Sequence, residues 1–486
     1  MIVLVILYWV SRFINLTELP IFTDEAIYIR WAQIGGRDAS WRFISLTDGK
    51  QPLFTWIMMA LMRVIRDPLV AGRFTSILSG FLGMIGMYAL GAEAFKNKRI
   101  GVLASALYLI CPFTLFYDRI ALYDSLVSAF FIWNLYLTFL FVRHNRLDVA
   151  LILGLTLGAG MLNKTSAFMS LYLLPVSLIL FDWRAKHIYI RLARFFGFAF
   201  ISVGLSQIIY SILRLSPYFY IIAQKDTIFV YPFSLWITHP IEFFIGNSTG
   251  MFDWLIGYVS WPVFLSAFFS LCFLKKQMLE KILLLCWWCL PFCGLALFGR
   301  VLYPRHMLFM IMPLLILSAW TIDLLIERIK ERAAQIILIG FLCSVNLFSS
   351  YTILADIKTA HIPQSERNQY VDDWPSGWGV SEIVTYFKEK TAEGKVSVYT
   401  EGTFGLLPYA FEIYLGDDKN IDITGIWPIQ EDMPKGMAEK ASDHPTYFVM
   451  YQHQAYPFRW RLKLISEYFK GLNKNAVTMR LYEVLP

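Results

Sequence analysis

The chain alternates between long apolar runs and short charged loops, and that alternation predicts its architecture. Eleven apolar segments read as membrane spans: Met1 to Leu16, Val70 to Ala92, Ile100 to Tyr117, Asp124 to Val142, Leu147 to Leu162, Phe168 to Phe181, Phe195 to Leu213, Trp254 to Leu274, Ile282 to Phe298, Met307 to Leu325 and Ile336 to Tyr351. Thr17 to Pro68 is too polar to cross. Within it, Pro52 to Arg66 is apolar but shorter than the ~20 residues a span needs, so it reads as an interfacial helix. A long aromatic loop follows Leu213 and runs to about Asp253.

From about Leu354 the pattern changes to polar, turn-rich sequence. Lys395 to Thr400, Thr446 to Tyr451 and Val477 to Val484 read as strands, and Ser381 to Lys390 and Trp460 to Lys470 as helices. The expected fold is a polytopic α-helical membrane protein of about eleven spans (1–353), with interfacial helices in the first outer loop and a small soluble α/β domain (354–486).

Composition supports that class. Of 486 residues, 57% are hydrophobic and only 16% charged, against about 25% charged in an average soluble domain. The net charge of +7 does not imply nucleic acid, because the basic residues cluster on every second loop. That parity places Lys96 to Arg99, Arg143 to Arg146, Arg184 to Arg194, Lys275 to Lys281 and Arg328 to Arg332 in the cytoplasm. Asp24, Glu25, Lys50, Asp118, Arg119, Asp124, Lys164, Arg300, Arg305 and the C-terminal domain then share the extracytoplasmic face. Met1 to Val10 lacks a basic region and a small-residue cleavage site, so no cleavable signal is expected. The six cysteines all lie in apolar stretches. Cys286-Trp287-Trp288-Cys289 has redox spacing but no nearby His or acid, and reads as packing.

The chemistry centres on Phe22-Thr23-Asp24-Glu25-Ala26-Ile27-Tyr28. Thr23 suits a helix N-cap and acids suit a first turn, so a solvated helix start is the plain alternative. Two acids and several cations at one outer face suit another task. A carboxylate can act as general base toward a hydroxyl, and Lys, Arg and His can stabilise a phosphate leaving group. Transfer of a sugar from a polyprenyl-phosphate carrier has these requirements. Asp118, beside Arg119, reads as a local ion pair.

Five motifs carry a family resemblance: Asp24-Glu25-Ala26-Ile27-Tyr28, Gly49-Lys50-Gln51-Pro52-Leu53, Arg119-Ile120-Ala121-Leu122-Tyr123-Asp124, Leu162-Asn163-Lys164 and Tyr303-Pro304-Arg305-His306. With these, the chain resembles the C-type (GT-C) glycosyltransferase superfamily and its protein O-mannosyltransferase and lipid A aminoarabinose transferase group. The resemblance covers about Met1 to Tyr351; Gln51 stands where the family often has Pro. It implies an inverting transferase using a polyprenyl-phosphate-linked sugar and a hydroxyl acceptor in a protein, lipid or glycan. Asp24 would be the base, Glu25 its neighbour, and Asp124 the second-loop acid that orients the acceptor or active-site groups. Tyr28, Lys50, Arg119, Lys164, Arg305 and His306 would bind substrate. For Lys164, Arg305 and His306 the plain alternatives are snorkelling and anchoring at helix ends. No metal site is demanded, although Asp24 and Asp124 leave a divalent ion open. The competing classes are a transporter or lipid flippase, which expects paired broken spans, and a binding protein whose tail is the active part.

Overall fold

The computed structural model describes residues 1–239, 241–273, 276–472 and 478–486. Three expected boundaries, at Leu274, Lys275 and Val477, lie outside the described residues. The chain divides into two compact units. One holds Met1–Ile14, Ser40–Ile57 and Arg73–Leu354; the other holds Asn15–Ala39, Met58–Gly72 and Ala355–Pro486. A single cut near Leu354 therefore does not describe the division, because two pieces of the first polar region join the C-terminal residues.

The first unit is helical. Among the described residues, six helices are long and apolar enough to cross a membrane: Pro68–Phe95, Asp124–His144, Ile188–Leu215, Met278–Phe298, Pro304–Arg328 and Arg332–Ala355. Other expected spans are made of shorter pieces. Lys98–Ile110 stops at Cys111 before Pro112–Tyr117. Phe168–Tyr172 gives way to a 3-10 stretch, Leu174–Leu180, at Pro175, because proline offers no backbone donor and crowds the preceding turn. The segment expected as one straight span from Trp254 is a pair, Phe244–Val259 and Trp261–Phe273, bent by 101°. Ser260 at the break has φ +70, and Pro262 opens the second helix. The aromatic stretch after Leu213 is also more ordered than a loop, with helices Ile221–Phe229 and Phe233–Thr238.

Small polar side chains fasten these helices to one another. The Ser202 hydroxyl donates to the Ala150 carbonyl at 2.7 Å, and Thr321 donates to the Ser266 carbonyl at 2.7 Å. Beside the first of these contacts, Leu153, Leu157, Phe141 and Phe195 form an apolar core with Ala150. At one end, loops expected to be cytoplasmic interlock: Arg99 pairs with Asp323 and Glu327, and Arg143 with Glu93 and Glu280.

The second unit carries a five-stranded sheet of order β2-β1-β3-β5-β4, with β1 Val396–Glu401, β2 Ile421–Ile426, β3 Thr446–Met450, β4 Leu462–Phe469 and β5 Thr478–Val484. β1 lies parallel to β2 and β3, while β5 runs antiparallel to β3 and β4. Four strands therefore end on one edge. The helix expected at Ser381 to Lys390 is Val380–Glu393. The helix expected over Trp460 to Lys470 is instead edge strand β4. Its charges are matched across the ladder, Lys463 to Glu483 and Glu467 to Arg480, and cross-strand pairing overrides the helical spacing of its sequence.

Helix Thr23–Arg37 packs on helix Leu406–Leu415 within this unit. Arg30 bonds Glu412 at 2.7 Å, Gln33 donates to the Ile413 carbonyl at 2.8 Å, and Arg37 pairs with Asp417. Phe22 forms a β-bridge with Ser376. These contacts hold the first polar region to the C-terminal residues.

Candidate active site

In the membrane unit, Lys50 follows a tight turn. Gly49 ends a 3-10 helix in the left-handed conformation, φ +69, and a Cβ there would lie 2.8 Å from Lys225 Cβ. Only glycine meets both demands. The turn is secured on both sides: Lys225 pairs with Asp48, and the Gln51 carboxamide donates to the Thr165 hydroxyl at 2.8 Å. Lys50 Nζ stands 5.3 Å from the Phe229 ring centre. Burial pushes the Asp226 carboxyl up, while Lys50 and the Thr165 hydroxyl pull it back.

The remaining cations gather near this turn. Lys164 donates to Asp124 at 2.6 Å, and Asn163 donates to the Tyr123 carbonyl at 3.2 Å. The Tyr123 hydroxyl bonds Thr55 at 3.0 Å. Arg305 lies over the Tyr303 ring at 4.7 Å, and His306 packs edge-on to Phe229 and Tyr303. Phe229 contacts both Lys50 and His306, and the Gln51–Thr165 bond ties the residue after Lys164 to the same turn. Four separate sequence motifs thus meet: Lys50, Asp124, Lys164 and the Arg305-His306 pair. Such a concentration of half-buried positive charge suits an anion.

Arg119 belongs to a neighbouring buried network. Its guanidinium donates to the Ile14 carbonyl at 2.5 Å. Burial, then Arg73 and Arg12, push its pKa down to about 9. Asp118 does not take the local role expected from its position. The ion pair of this fully buried carboxylate is with Arg12, at 3.3 Å, and it also accepts from Tyr8, Tyr108 and Ser125. Burial pushes Asp118 up to about 6 despite that pairing. A Cβ on Gly80 would fall 2.2 Å from the Asp118 carboxylate, so glycine makes the space for this network.

Asp24, Glu25 and Tyr28 lie in the other unit, on helix Thr23–Arg37. Phe22, not Thr23, is the N-cap residue. The backbone N–H and hydroxyl of Thr23 both donate to the Pro375 carbonyl, at 3.1 and 2.9 Å. Glu25 is fully buried and accepts from the Phe22 N–H at 3.0 Å, a capping contact at the third helical position. Asp24 is half-buried, and Tyr28 is buried with its ring 5.6 Å from Trp31. The two acids differ accordingly: Glu25 is committed to the backbone, and Asp24 points about 100° around the helix from it.

Among the described residues, no group of three or more His, Cys, Asp and Glu side chains is placed to hold a metal ion. Arg12, Lys225 and Asp226 were not legible as site residues. Arg12 is a charge inside an apolar segment, which is itself a signal of a partner. Lys225-Asp226 is a polar break in an aromatic stretch.

Residues 49–210 match the family described as dolichyl-phosphate-mannose-protein mannosyltransferase. No curated protein matches the sequence. The fold is similar to that of ArnT from Cupriavidus metallidurans in the apo state, with a TM-score of 0.65 at 12% identity over 99% of this chain and 97% of that one. The same protein bound to undecaprenyl phosphate gives 0.62 at 11% identity over the same shares. An Archaeoglobus fulgidus oligosaccharyltransferase tethered with an acceptor peptide gives 0.50 at 14% identity, over 92% of this chain and 68% of that one. The chain therefore has an ArnT-like fold. Family match and fold together support the GT-C superfamily that the sequence motifs resemble.

Proposed function

We propose that the protein is an inverting glycosyltransferase that moves a sugar from a polyprenyl-phosphate carrier to a hydroxyl acceptor outside the cytoplasm. The observation that carries this reading is that Lys50 and His306 both pack against Phe229 in a helical membrane unit, with the Lys164–Asp124 pair beside the Gln51–Thr165 bond of the same turn. A phosphate diester monoanion of a lipid carrier is the anion such a site suits, and the ArnT of similar fold binds undecaprenyl phosphate.

The roles follow the chemistry. Asp24 takes the proton of the acceptor hydroxyl. That oxygen attacks the anomeric carbon as the carbon–oxygen bond to phosphate breaks, and the carrier leaves as polyprenyl phosphate. Lys50, Arg305 and Lys164 meet the charge that grows on the phosphate. Asp124 holds Lys164, and Arg119 stands in the same loop segment as Asp124. The positive loops on one side favour an extracytoplasmic site and C-terminal domain; impermeant labelling of Asp418→Cys in intact cells tests that orientation. The transporter reading expects paired broken spans, and the described residues contain one bent pair.

The direct test is reconstitution in liposomes with radiolabelled polyprenyl-phosphate sugars and acceptor extracts. Transfer with inversion at the anomeric carbon is expected. Lys50→Ala should weaken donor use roughly 10–100-fold, the equivalent of a charged hydrogen bond of about 1.5–3 kcal/mol. Failure to consume any carrier-linked sugar would overturn the reading.

A further inference from the structure

The sheet of the second unit ends in an aromatic face that the transfer chemistry above does not use. β1, β2, β3 and β4 all finish on one edge, and each delivers a residue to it: Glu401, Trp427, Tyr451 with His453, and Lys470. Carboxyl ends of parallel strands commonly form ligand crevices. Here they assemble a cluster of rings. The His453 ring lies 4.7 Å from Trp374, 5.5 Å from Trp427 with planes 21° apart, and 6.1 Å from Tyr451 with planes 2° apart. Tyr451 is buried, but His453 is exposed and Trp427 is 50% exposed. The stacked rings leave His453 and half of Trp427 open to solvent, where packing alone would hide them.

The loop that presents His453 is built with care. Gln452 takes a left-handed conformation, φ +60, which a non-glycine residue rarely adopts. Such strain persists only where surrounding contacts over-determine it. Those contacts are present. The buried Glu401 carboxylate accepts the N–H groups of Tyr451 and Gln454, and Gln452 accepts from the Thr478 N–H at 2.8 Å. The Gln454 side-chain oxygen accepts from the Ile429 N–H at 2.8 Å, tying this loop to the one that carries Trp427. The Gln454 side-chain nitrogen is a buried donor with no acceptor among the described residues. The Lys470 ammonium is fully buried and donates to the Trp374 carbonyl, so the face offers aromatic carbon instead of accessible positive charge.

We infer that Trp427, His453 and Trp374 form a saccharide-binding platform, and, resting on the transferase reading above, that the acceptor of the transfer is a glycan. One face of a pyranose ring is a sheet of polarised C–H groups, which match the electron-rich faces of indole and imidazole. Its hydroxyls would meet the His453 ring nitrogens. Sequence continuity joins the platform to the candidate base. Trp374 precedes Pro375, whose carbonyl holds both donors of Thr23, and Asp24 follows Thr23.

The test uses the purified full-length protein in nanodiscs. Saturation-transfer NMR and tryptophan fluorescence are recorded with mannotriose, maltotriose and chitotriose. At least one should bind saturably in the millimolar range, with transfer strongest to protons of one ring face. Trp427→Ala should weaken that binding at least tenfold. Phe458→Ala, which removes another exposed ring of the same unit, should leave it unchanged. Absence of saturable binding by all three sugars, or equal weakening by both variants, overturns the inference. Undecaprenyl phosphate binding is measured on the same sample. Lipid-phosphate binding without sugar binding defeats only the platform; the reverse defeats the transferase reading and the acceptor role with it, and leaves the platform as a saccharide site.

Discussion

Lys164 reaches from the end of the Leu147–Asn163 helix to the Asp124 carboxylate, 2.6 Å away, at the first turn of the preceding long helix. Two residues from separate motifs thus form one ion pair. Asp124 is also stabilised by the helix N-terminus on which it stands. A charge-assisted bond in this partly buried setting is worth about 1.5–3 kcal/mol. Asp124→Asn and Lys164→Met should each lower the thermal midpoint in detergent. The double variant should lose less than the sum, by a coupling energy in that range. Additive losses would separate the two residues.

The first-loop acids should also come apart under mutation. Asp24→Asn should cut turnover by about 10²–10⁴-fold, the contribution of a positioned base, while undecaprenyl phosphate binding persists. Loss of both would make Asp24 an organiser of the donor site. Glu25→Gln retains an oxygen that accepts from the Phe22 N–H and should stay near wild type. Glu25→Ala removes the cap and should cost about 0.5–2 kcal/mol of stability. Equal loss of turnover in both Glu25 variants would give Glu25 a chemical role.

Gly80→Ala probes the buried Arg12–Asp118 network. The new methyl would lie 2.2 Å from the Asp118 carboxylate. Overpacking costs about 1–3 kcal/mol, and disturbance of a buried pair adds to it. The thermal midpoint should fall, and donor binding with it, because Asp118 anchors the segment that carries Arg119 and Asp124. Gly204→Ala, with nothing within 4 Å of its Cβ, should be neutral or stabilising by up to about 1 kcal/mol. Equal effects at the two glycines would remove the network from the explanation.

Lys470 predicts a pH dependence of stability. Burial pushes its ammonium down to about 7, against the upward pull of Asp373 and Glu401. The unfolded value is about 10.4. Between the two, the unfolded chain holds more protons than the folded one, so this group makes stability rise with pH from about 7 to about 10, and adds no slope below 7. The slope can reach about 1.4 kcal/mol per pH unit. Lys470→Met should flatten the thermal midpoint across that window. A wild-type midpoint that stays level from pH 7 to 10 would contradict the buried, depressed ammonium.

The sequence by itself determined the membrane class, the alternation of basic loops and most helical segments, because apolar length and charge placement are local properties of the chain. It also marked Asp24, Lys50, Asp124, Lys164 and Arg305, since charge beside an apolar span needs a reason to be there. Other features depended on distant partners. Asp118 chose Arg12 over adjacent Arg119 because burial rewards the partner that brings further hydrogen bonds with it. Trp460 to Lys470 became a strand because β5 offered matching charges across a ladder, which no local propensity reports. Trp374, Trp427 and His453 are far apart in the chain, and only the convergence of strand ends on one edge of the sheet turned three scattered aromatic residues into a surface.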